Sequence, residues 1–261
     1  MPNNYTTPPS SEDEVLTWYN VLYSIGFILF PIILSFILNL GLSLELIIAG
    51  LRCILQLTLM GTVLDQVLGT TSPIIVIMLA FCLTCLASFE LVYSKTRRQF
   101  SFMLPFVLLS LTSSCIGIAI AGNLFAIQVD PFWQPDKFIP TFGMLIGNSM
   151  SAVAVAVNFC LKELSENSAN IEVYLSMGAS RLEATNLLLK QSIKLALLPT
   201  INSMSIIGLI SIPGMMTGQI LGGSSVSDAV KYQQIIMFMI TSSCTLSVLF
   251  STLVSCYLFI I

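Results

Sequence analysis

Apolar runs of about 20 residues recur along this chain, and they constrain its fold more than any other feature. A run of that length forms a helix long enough to cross roughly 30 Å of hydrocarbon. Hydrophobic residues make up 56% of the sequence and charged residues only 9%, whereas about 25% of a typical soluble domain is charged. We therefore predict an all-α, polytopic membrane protein.

Seven of these runs are predicted to be transmembrane helices. They are residues 20–40, 43–64, 73–93, 102–121, 138–161, 195–212 and 232–261. The polar residues 1–19 form a tail that lacks the basic start of a signal peptide, so the first run is expected to remain as a span. Residues 20–261 are predicted to be a single transmembrane domain, in which Pro213 ends the sixth span and a glycine-rich connection (213–231) precedes the seventh.

Basic residues orient the spans, because cytoplasmic loops carry an excess of Lys and Arg. If seven of the ten basic residues are cytoplasmic, the N-terminus lies outside and the C-terminus lies in the cytoplasm. The seven are Lys95, Arg97, Arg98, Lys162, Arg181, Lys190 and Lys194. A plasma or inner membrane is favoured, with an organelle membrane as the alternative.

The longest polar interruption, residues 162–194, lies between the fifth and sixth predicted spans and is called the coupling segment below. Asn167 and Ser168 are candidate helix caps, and apolar residues follow them at helical spacing until Gly178. The pattern predicts a short cytoplasmic helix, a glycine turn and a second helix. Such an element suits the docking of a soluble partner, and an ordinary solvated loop is the alternative.

The coupling segment contains Glu172-Val-Tyr-Leu-Ser-Met-Gly-Ala-Ser180, followed by Leu198-Pro199, and this pattern resembles the coupling loop of ABC-transporter permeases. Further along, residues 198–204, 211–223 and 232–233 resemble the FetB/UPF0014 family of permeases. That family includes a bacterial iron exporter component and plant aluminium-tolerance membrane proteins. The resemblance implies that an ATPase subunit is contacted through Glu172, Gly178, Ala179 and Ser180.

The same resemblance implies a function. The chain is expected to be the permease subunit of an ABC transporter that exports a metal ion, with iron favoured. The sequence has no Gly-x4-Gly-Lys-Ser/Thr phosphate loop, so ATP and Mg²⁺ are expected in a separate cytosolic ATPase subunit. We expect two copies of the permease in the assembly, no cofactor bound by this chain, no enzymatic activity of its own and no nucleic-acid partner.

Polar and flexible positions in or near the spans are candidates for a translocation pathway. Charged side chains and non-helical backbone at membrane depth face either other parts of the protein or a water-filled cavity. They are Arg52, Gln56, Glu90, Asn148, Met150, Asn202, Met204, Pro213, Gly214, Met215, Met216, Thr217, Gly218 and Gln219. Met215 and Met216 are the candidate metal ligands, since thioethers favour softer ions. A plain extracellular turn with packed methionines is the alternative. An Arg52–Glu90 ion pair is a further hypothesis.

Two other functions share some of these features. A seven-span receptor has the same topology, and an ABC permease for a non-metal solute such as a nucleotide sugar has the same coupling segment. A membrane-embedded enzyme is disfavoured, because the chain has no histidine, and paired carboxylates or an activated serine are not evident.

Overall fold

The computed structural model describes residues 18–69, 72–96 and 102–259, apart from the side chains of 257–259. The helices in these ranges are α1 (Trp18–Ile37), α2 (Ser43–Leu68), α3 (Pro73–Glu90), α4 (Met103–Ala121), α5 (Pro135–Glu166), α6 (Ser168–Ser176), α7 (Arg181–Ile206), α8 (Gly214–Leu221) and α9 (Val226–Phe259). Single π-helical turns, Leu91–Lys95 and Gly122–Ile127, extend α3 and α4. The described ranges contain no strand, which confirms the predicted all-α class.

Six helices of the described ranges are long and apolar enough to cross a membrane: α1, α2, α3, α4, α5 and α9. The predicted sixth span is not among them. The run 195–212 is interrupted, because α7 ends at Ile206 and a turn follows, so its apolar part is well short of about 20 residues. The amino-terminal half of α7 instead carries charged residues of the coupling segment.

Two other boundaries differ from the sequence-based prediction. Pro213 does not end the sixth span: it lies at the N-cap of α8, where a proline without an N–H is tolerated. The predicted glycine-rich connection (213–231) is therefore largely helical, comprising α8 and the start of α9.

The chain divides into two compact units, which are described separately. The first contains α1 and most of α2. Here the Ser35 hydroxyl accepts a hydrogen bond from the Leu42 N–H at 3.2 Å, which ties the end of α1 to the turn before α2. Most large apolar side chains of both helices are exposed, as expected of surfaces that face lipid.

The second unit, from Val67 onward, is a helical bundle in which α5 and α9 pack along each other. Both also contact α4 and α7, and α5 contacts α3. Buried residues on α5 recur every three or four positions, including Phe142, Leu145, Val153, Val157 and Leu161. This spacing places one continuous stripe of α5 against its neighbours.

A seam of buried hydroxyl groups joins α4, α5 and α9. The Ser251 hydroxyl donates to Ser110 Oγ at 2.9 Å, and the Ser110 hydroxyl donates to the Ser247 carbonyl oxygen at 3.0 Å. The hydroxyl oxygens of Ser149 on α5 and Ser243 on α9 lie 2.9 Å apart. Lipid provides little hydrophobic drive for helix association, so small residues and interhelical hydrogen bonds of about 0.6 kcal/mol each stabilise such contacts.

Two hydrogen-bonded contacts mark the two ends of this bundle. The Asn158 side chain donates to the Lys95 carbonyl oxygen at 2.7 Å, which brings the end of the α3 extension to the coupling-segment half of α5. At the other end, the hydroxyls of Thr141 and Tyr232 lie 3.3 Å apart and join the starts of α5 and α9. The first end carries Lys95, Lys162, Arg181 and Lys190 together with Glu163, Glu166, Glu172 and Glu183; the second end carries Asp130, Asp136 and Asp228 together with Lys137 and Lys231. Arg97 and Arg98 lie outside the described residues.

Candidate functional site

The coupling segment folds as a helix, a glycine turn and a helix. One residue, Asn167, separates α5 from α6. Its side chain donates to the carbonyl oxygen of Glu163 at 3.2 Å and to Glu163 Oε2 at 2.9 Å. Asn167 thus occupies the predicted cap position, but its side chain stabilises the end of α5 rather than capping α6.

Gly178 closes the end of α6. Its φ of +90° is a conformation that L-residues with a side chain rarely adopt. The Gly178 N–H donates to the Leu175 carbonyl oxygen at 3.0 Å, and the Ala179 N–H donates to the Tyr174 carbonyl oxygen at 3.1 Å. These two bonds form a Schellman motif, which satisfies carbonyl groups at the end of α6 and fixes the direction of the chain beyond it.

Ser180 and Glu183 form a capping box at the start of α7. Ser180 Oγ accepts from the Glu183 N–H at 3.4 Å, and Glu183 Oε2 accepts from the Ser180 N–H at 2.8 Å and from its hydroxyl at 2.7 Å. The Ser180 hydroxyl, followed by the Ser180 N–H, lowers the pKa of the exposed Glu183 carboxyl. The predicted turn therefore has fixed hydrogen bonds on both sides of Gly178.

Replacing Ser180 with alanine is expected to raise the pKa of Glu183 toward its ordinary value, because the hydroxyl donor is lost. Because the pKa is lowered, the ionised Glu183 carboxylate stabilises the capped start of α7 at neutral pH. This stabilisation is lost as the pH falls through the lowered pKa. A carboxyl-carbon NMR titration measures the change. Ser176→Ala is the matched control, since the Ser176 hydroxyl donates to the Val173 carbonyl oxygen; an equal shift in both variants would contradict the assignment.

A buried cluster attaches the coupling segment to the bundle. Ile171 of α6 packs with Leu164 of α5, Leu188 of α7 and Cys256 of α9. Leu175 and Leu189 cover this cluster from its edge. One face of α6 therefore packs against α5 and α7, with Cys256 of α9 in the same cluster, so α6 is expected to move with this part of the bundle rather than as a loose loop.

The opposite face of α6 is exposed. Glu172, Gly178 and Ser180 are accessible, Ala179 is half-buried, and Met177 has 78% of its surface exposed. A groove of about 760 Å³ runs between α6 and α7 and is lined by Tyr174, Met177, Asn186, Leu187 and Lys190, among others. The segment offers a groove with a mixed apolar and polar lining that includes the Glu183 carboxylate and the Lys190 ammonium group.

A second concave site lies where α7, α8 and α9 meet. It is a cavity of about 620 Å³, called the methionine cavity below, and Met204, Met216 and Met237 line it from the three helices. The non-helical turn at 207–213 also contributes to its wall. Of the predicted pathway residues, the structure brings Met204, Pro213 and Met216 together here.

The other predicted pathway residues are placed elsewhere or do not line this cavity. Asn148 is exposed on α5 and donates to the Met144 carbonyl oxygen at 2.8 Å, while Asn202 is exposed on α7. The cavity lining as described does not include Met150, Gly214, Met215, Thr217, Gly218 or Gln219. Arg52 and Gln56 belong to the first unit and Glu90 to the second, so their pairing stays a hypothesis.

Sequence reasoning missed the α9 wall of this cavity. Gln233 and Met237 line it from α9, and Thr241 Oγ1 lies 2.9 Å from the Met204 sulfur. The signal was present, because these residues recur every four positions and so share one face of a helix. In the described ranges, no group of three His, Cys, Asp or Glu side chains is arranged to hold a metal ion.

Comparison with known proteins agrees with a helical membrane protein. The family model described as "Uncharacterised protein family (UPF0014)" matches residues 18–260. The chain belongs to the UPF0014 family. This confirms the resemblance seen in the sequence, and the chain is a multi-pass integral membrane protein.

Curated members of the family match most of the chain. The "Probable iron export permease protein FetB" of Escherichia coli (strain K12) is 30% identical over 207 residues, covering 79% of this chain and 76% of the relative. "UPF0014 membrane protein YjkA" of Bacillus subtilis (strain 168) is 29% identical, covering 85% of this chain and 86% of the relative. "Protein ALUMINUM SENSITIVE 3" of Arabidopsis thaliana is 30% identical, covering 86% of this chain and 81% of the relative. No solved structure matches the chain.

Proposed function

We propose that this chain is the membrane-spanning subunit of an ABC transporter that exports a metal ion, driven by ATP hydrolysed in a separate subunit. The proposal rests on the way in which hydrogen bonds and buried contacts fix the coupling segment. The short helix α6 ends in a Schellman motif, the following helix α7 begins with a capping box, and the Ile171 cluster packs against the buried side of α6. An element fixed in this way transmits the displacement of a docked subunit to α5, α7 and α9.

The exposed groove between α6 and α7 supports the docking of a soluble protein. Its apolar residues Tyr174, Met177 and Leu187 provide contact area, and Glu172 and Lys190 provide charges that select the orientation of the partner. On the orientation predicted from basic residues, this end of the bundle is cytoplasmic, where an ATPase is available.

The energy source belongs to the partner, because the sequence has no Gly-x4-Gly-Lys-Ser/Thr loop to bind the phosphates of ATP. We propose that ATP and Mg²⁺ bind there and that two permease copies assemble. Within the unit from Val67 onward, α5 leaves Gly147, Ser151 and Val155 exposed at a spacing of four residues. A face with two small residues allows a second copy to approach closely.

Iron is the favoured substrate because FetB is named as a probable iron export permease. The test is transport into inside-out vesicles that contain the chain and its co-purified ATPase. Fe²⁺, Mn²⁺, Zn²⁺, Al³⁺ and a nucleotide sugar are compared with and without ATP. ATP-dependent accumulation of Fe²⁺ is expected. Accumulation of a nucleotide sugar instead of any metal would overturn the substrate assignment but leave the coupling mechanism standing.

Labelling decides the orientation independently of transport. Ser176→Cys places a thiol on the exposed face of α6, where the serine is accessible. A membrane-impermeant maleimide is expected to label this variant in inside-out vesicles but not in intact cells, relative to the unsubstituted chain. Labelling in intact cells would mean that the coupling segment faces away from the cytosol and would overturn the proposal.

A further inference from the structure

Two buried cysteines from different helices meet beneath the coupling segment. The sulfur of Cys160 on α5 and the sulfur of Cys256 on α9 lie 3.3 Å apart, and both side chains are almost fully buried. Both are free thiols. The buried Cys115 and Cys244 instead contact serine hydroxyls. Cys160 and Cys256 therefore form a dithiol pair that joins α5 to α9.

The position of this pair allows a disulfide bond. A disulfide has an S–S distance of about 2.0 Å, so the two sulfurs need to approach each other by about 1.3 Å. Helices α5 and α9 pack along each other, so the backbones that carry the two thiols are already held together. The two cysteines are 96 positions apart in the chain, and the whole coupling segment lies between them.

The coupling segment covers the pair. Ile171 of α6 and Leu188 of α7 pack in the same buried cluster as both cysteines. Cys160 precedes Lys162 by two residues, and the Lys162 side chain is exposed, so the pair lies within one helical turn of a charged part of α5. The two thiols are therefore close to water and are separated from it by side chains of the segment to which the ATPase is proposed to dock.

Hydrogen peroxide is an oxidant suited to this site, because it is small and carries no charge that must be desolvated. Its reaction with the pair takes two steps. One thiol, as its thiolate, attacks peroxide; the O–O bond breaks, and a sulfenic acid and one water form. The second thiol attacks the sulfenic sulfur; the S–S bond forms and a second water leaves. The two sulfurs lose two electrons in total, and both thiol protons end in water.

We propose that Cys160 and Cys256 are a redox-sensitive pair whose disulfide bond locks α5 to α9 beneath the coupling segment and stops transport. A thiol reductant reverses the bond by exchange. The cluster that anchors α6 contains both sulfurs, so the bond fixes the layer through which a docked subunit moves the bundle. The effect on transport rests on the proposed function, whereas formation of the bond does not.

Cross-linking of the full chain in detergent, without ATPase or nucleotide, tests the bond. Hydrogen peroxide is added to the reduced chain, remaining thiols are blocked with N-ethylmaleimide, and a protease digest is analysed by mass spectrometry without reductant. Two peptides joined through Cys160 and Cys256 are expected, and dithiothreitol should separate them. Cys244→Ser is the matched control: Cys244 is also buried on α9 but contacts a serine hydroxyl, so this variant should keep the link. Absence of the link while the exposed Cys53 and Cys82 are oxidised would overturn the proposal.

Uncovering the pair is expected to speed the reaction. Ile171→Ala should accelerate cross-linking by about tenfold or more, because loss of a buried side chain favours local opening of the cluster. Leu187→Ala is the matched control, since Leu187 is exposed on α7 and should leave the rate unchanged. Equal rates in the two variants would show that the coupling segment does not cover the thiols. Size-exclusion profiles confirm that both variants are folded.

Transport in vesicles tests the lock. The purified chain is oxidised before the ATPase is added, and peroxide is removed with catalase before Fe²⁺ is supplied. ATP-dependent uptake is expected to be lost in the cross-linked chain and to return after dithiothreitol, whereas Cys160→Ser stays active after the same treatment. Equal uptake by the cross-linked and reduced chains would overturn the lock. If the reduced chain itself transports no substrate, the proposed function fails, and the mass spectrum still decides whether the bond forms.

Discussion

Substituting proline for Gly178 is expected to abolish ATP-dependent transport while leaving the chain inserted in the membrane. Gly178 has a φ of +90°, and proline is confined to about −65°. Proline also lacks the N–H that Gly178 donates to the Leu175 carbonyl oxygen. The Schellman motif is lost, so α6 no longer enters the turn at a fixed angle, whereas the apolar spans that determine insertion are unaffected.

Two milder substitutions separate backbone geometry from crowding. A Cβ atom at Gly178 would meet no atom within 4 Å, so alanine causes strain from φ alone, at a cost of about 1–2 kcal/mol. Asparagine tolerates this conformation better than alanine. We therefore expect transport to decrease in the order Gly, Asn, Ala, Pro, measured as ATP-dependent uptake per molecule inserted into vesicles. Full activity of the proline variant would mean that the turn has no role in coupling.

Reversing the charge of Glu172 is expected to remove both transport and co-purification of the ATPase. Glu172 is exposed on α6, next to the buried anchor Ile171. Lysine fits an exposed helical position, so the fold of the chain is retained. An unfavourable charge at a protein interface costs at least about 2 kcal/mol, which corresponds to roughly 30-fold weaker binding.

Glu166→Lys is the matched control for this charge reversal. Glu166 is also exposed and lies at the end of α5, where its only described ion pair is a surface contact of 3.9 Å with Lys162. Surface pairs of this kind contribute about 0–1 kcal/mol, so this variant should keep its ATPase. Affinity of the purified chain for the ATPase subunit, measured for both variants, decides the assignment. Equal affinities would show that Glu172 is not part of the docking surface.

The elements with strong local signals were predictable from sequence. Long apolar runs identified the positions of six membrane helices, and the positions of Gly178 and Ser180 identified the break between α6 and α7. These signals depend on a few neighbouring residues, as do the φ preference of glycine and the capping preference of serine. The helix–turn–helix form of the coupling segment is confirmed, and its role in docking stays a prediction.

Features that depend on distant residues were not predictable. The end of α7 at Ile206 was missed because Leu209, Ile210 and Ile212 continue the apolar composition through a turn. The methionine cavity combines residues of α7, α8 and α9, and nothing local in the sequence places Gln233 beside Met204. The buried hydroxyl seam likewise forms only when α4, α5 and α9 pack together.

Helix α7 runs without interruption from the capping box at Ser180 to Ile206, beside the methionine cavity. Its 26 residues correspond to a rod about 39 Å long, in which Pro199 removes one backbone hydrogen bond. One helix therefore connects the proposed docking turn to the wall of the methionine cavity. Thermodynamic reciprocity requires that if ATPase docking changes the affinity for the transported substrate, the substrate changes the affinity for the ATPase by the same factor.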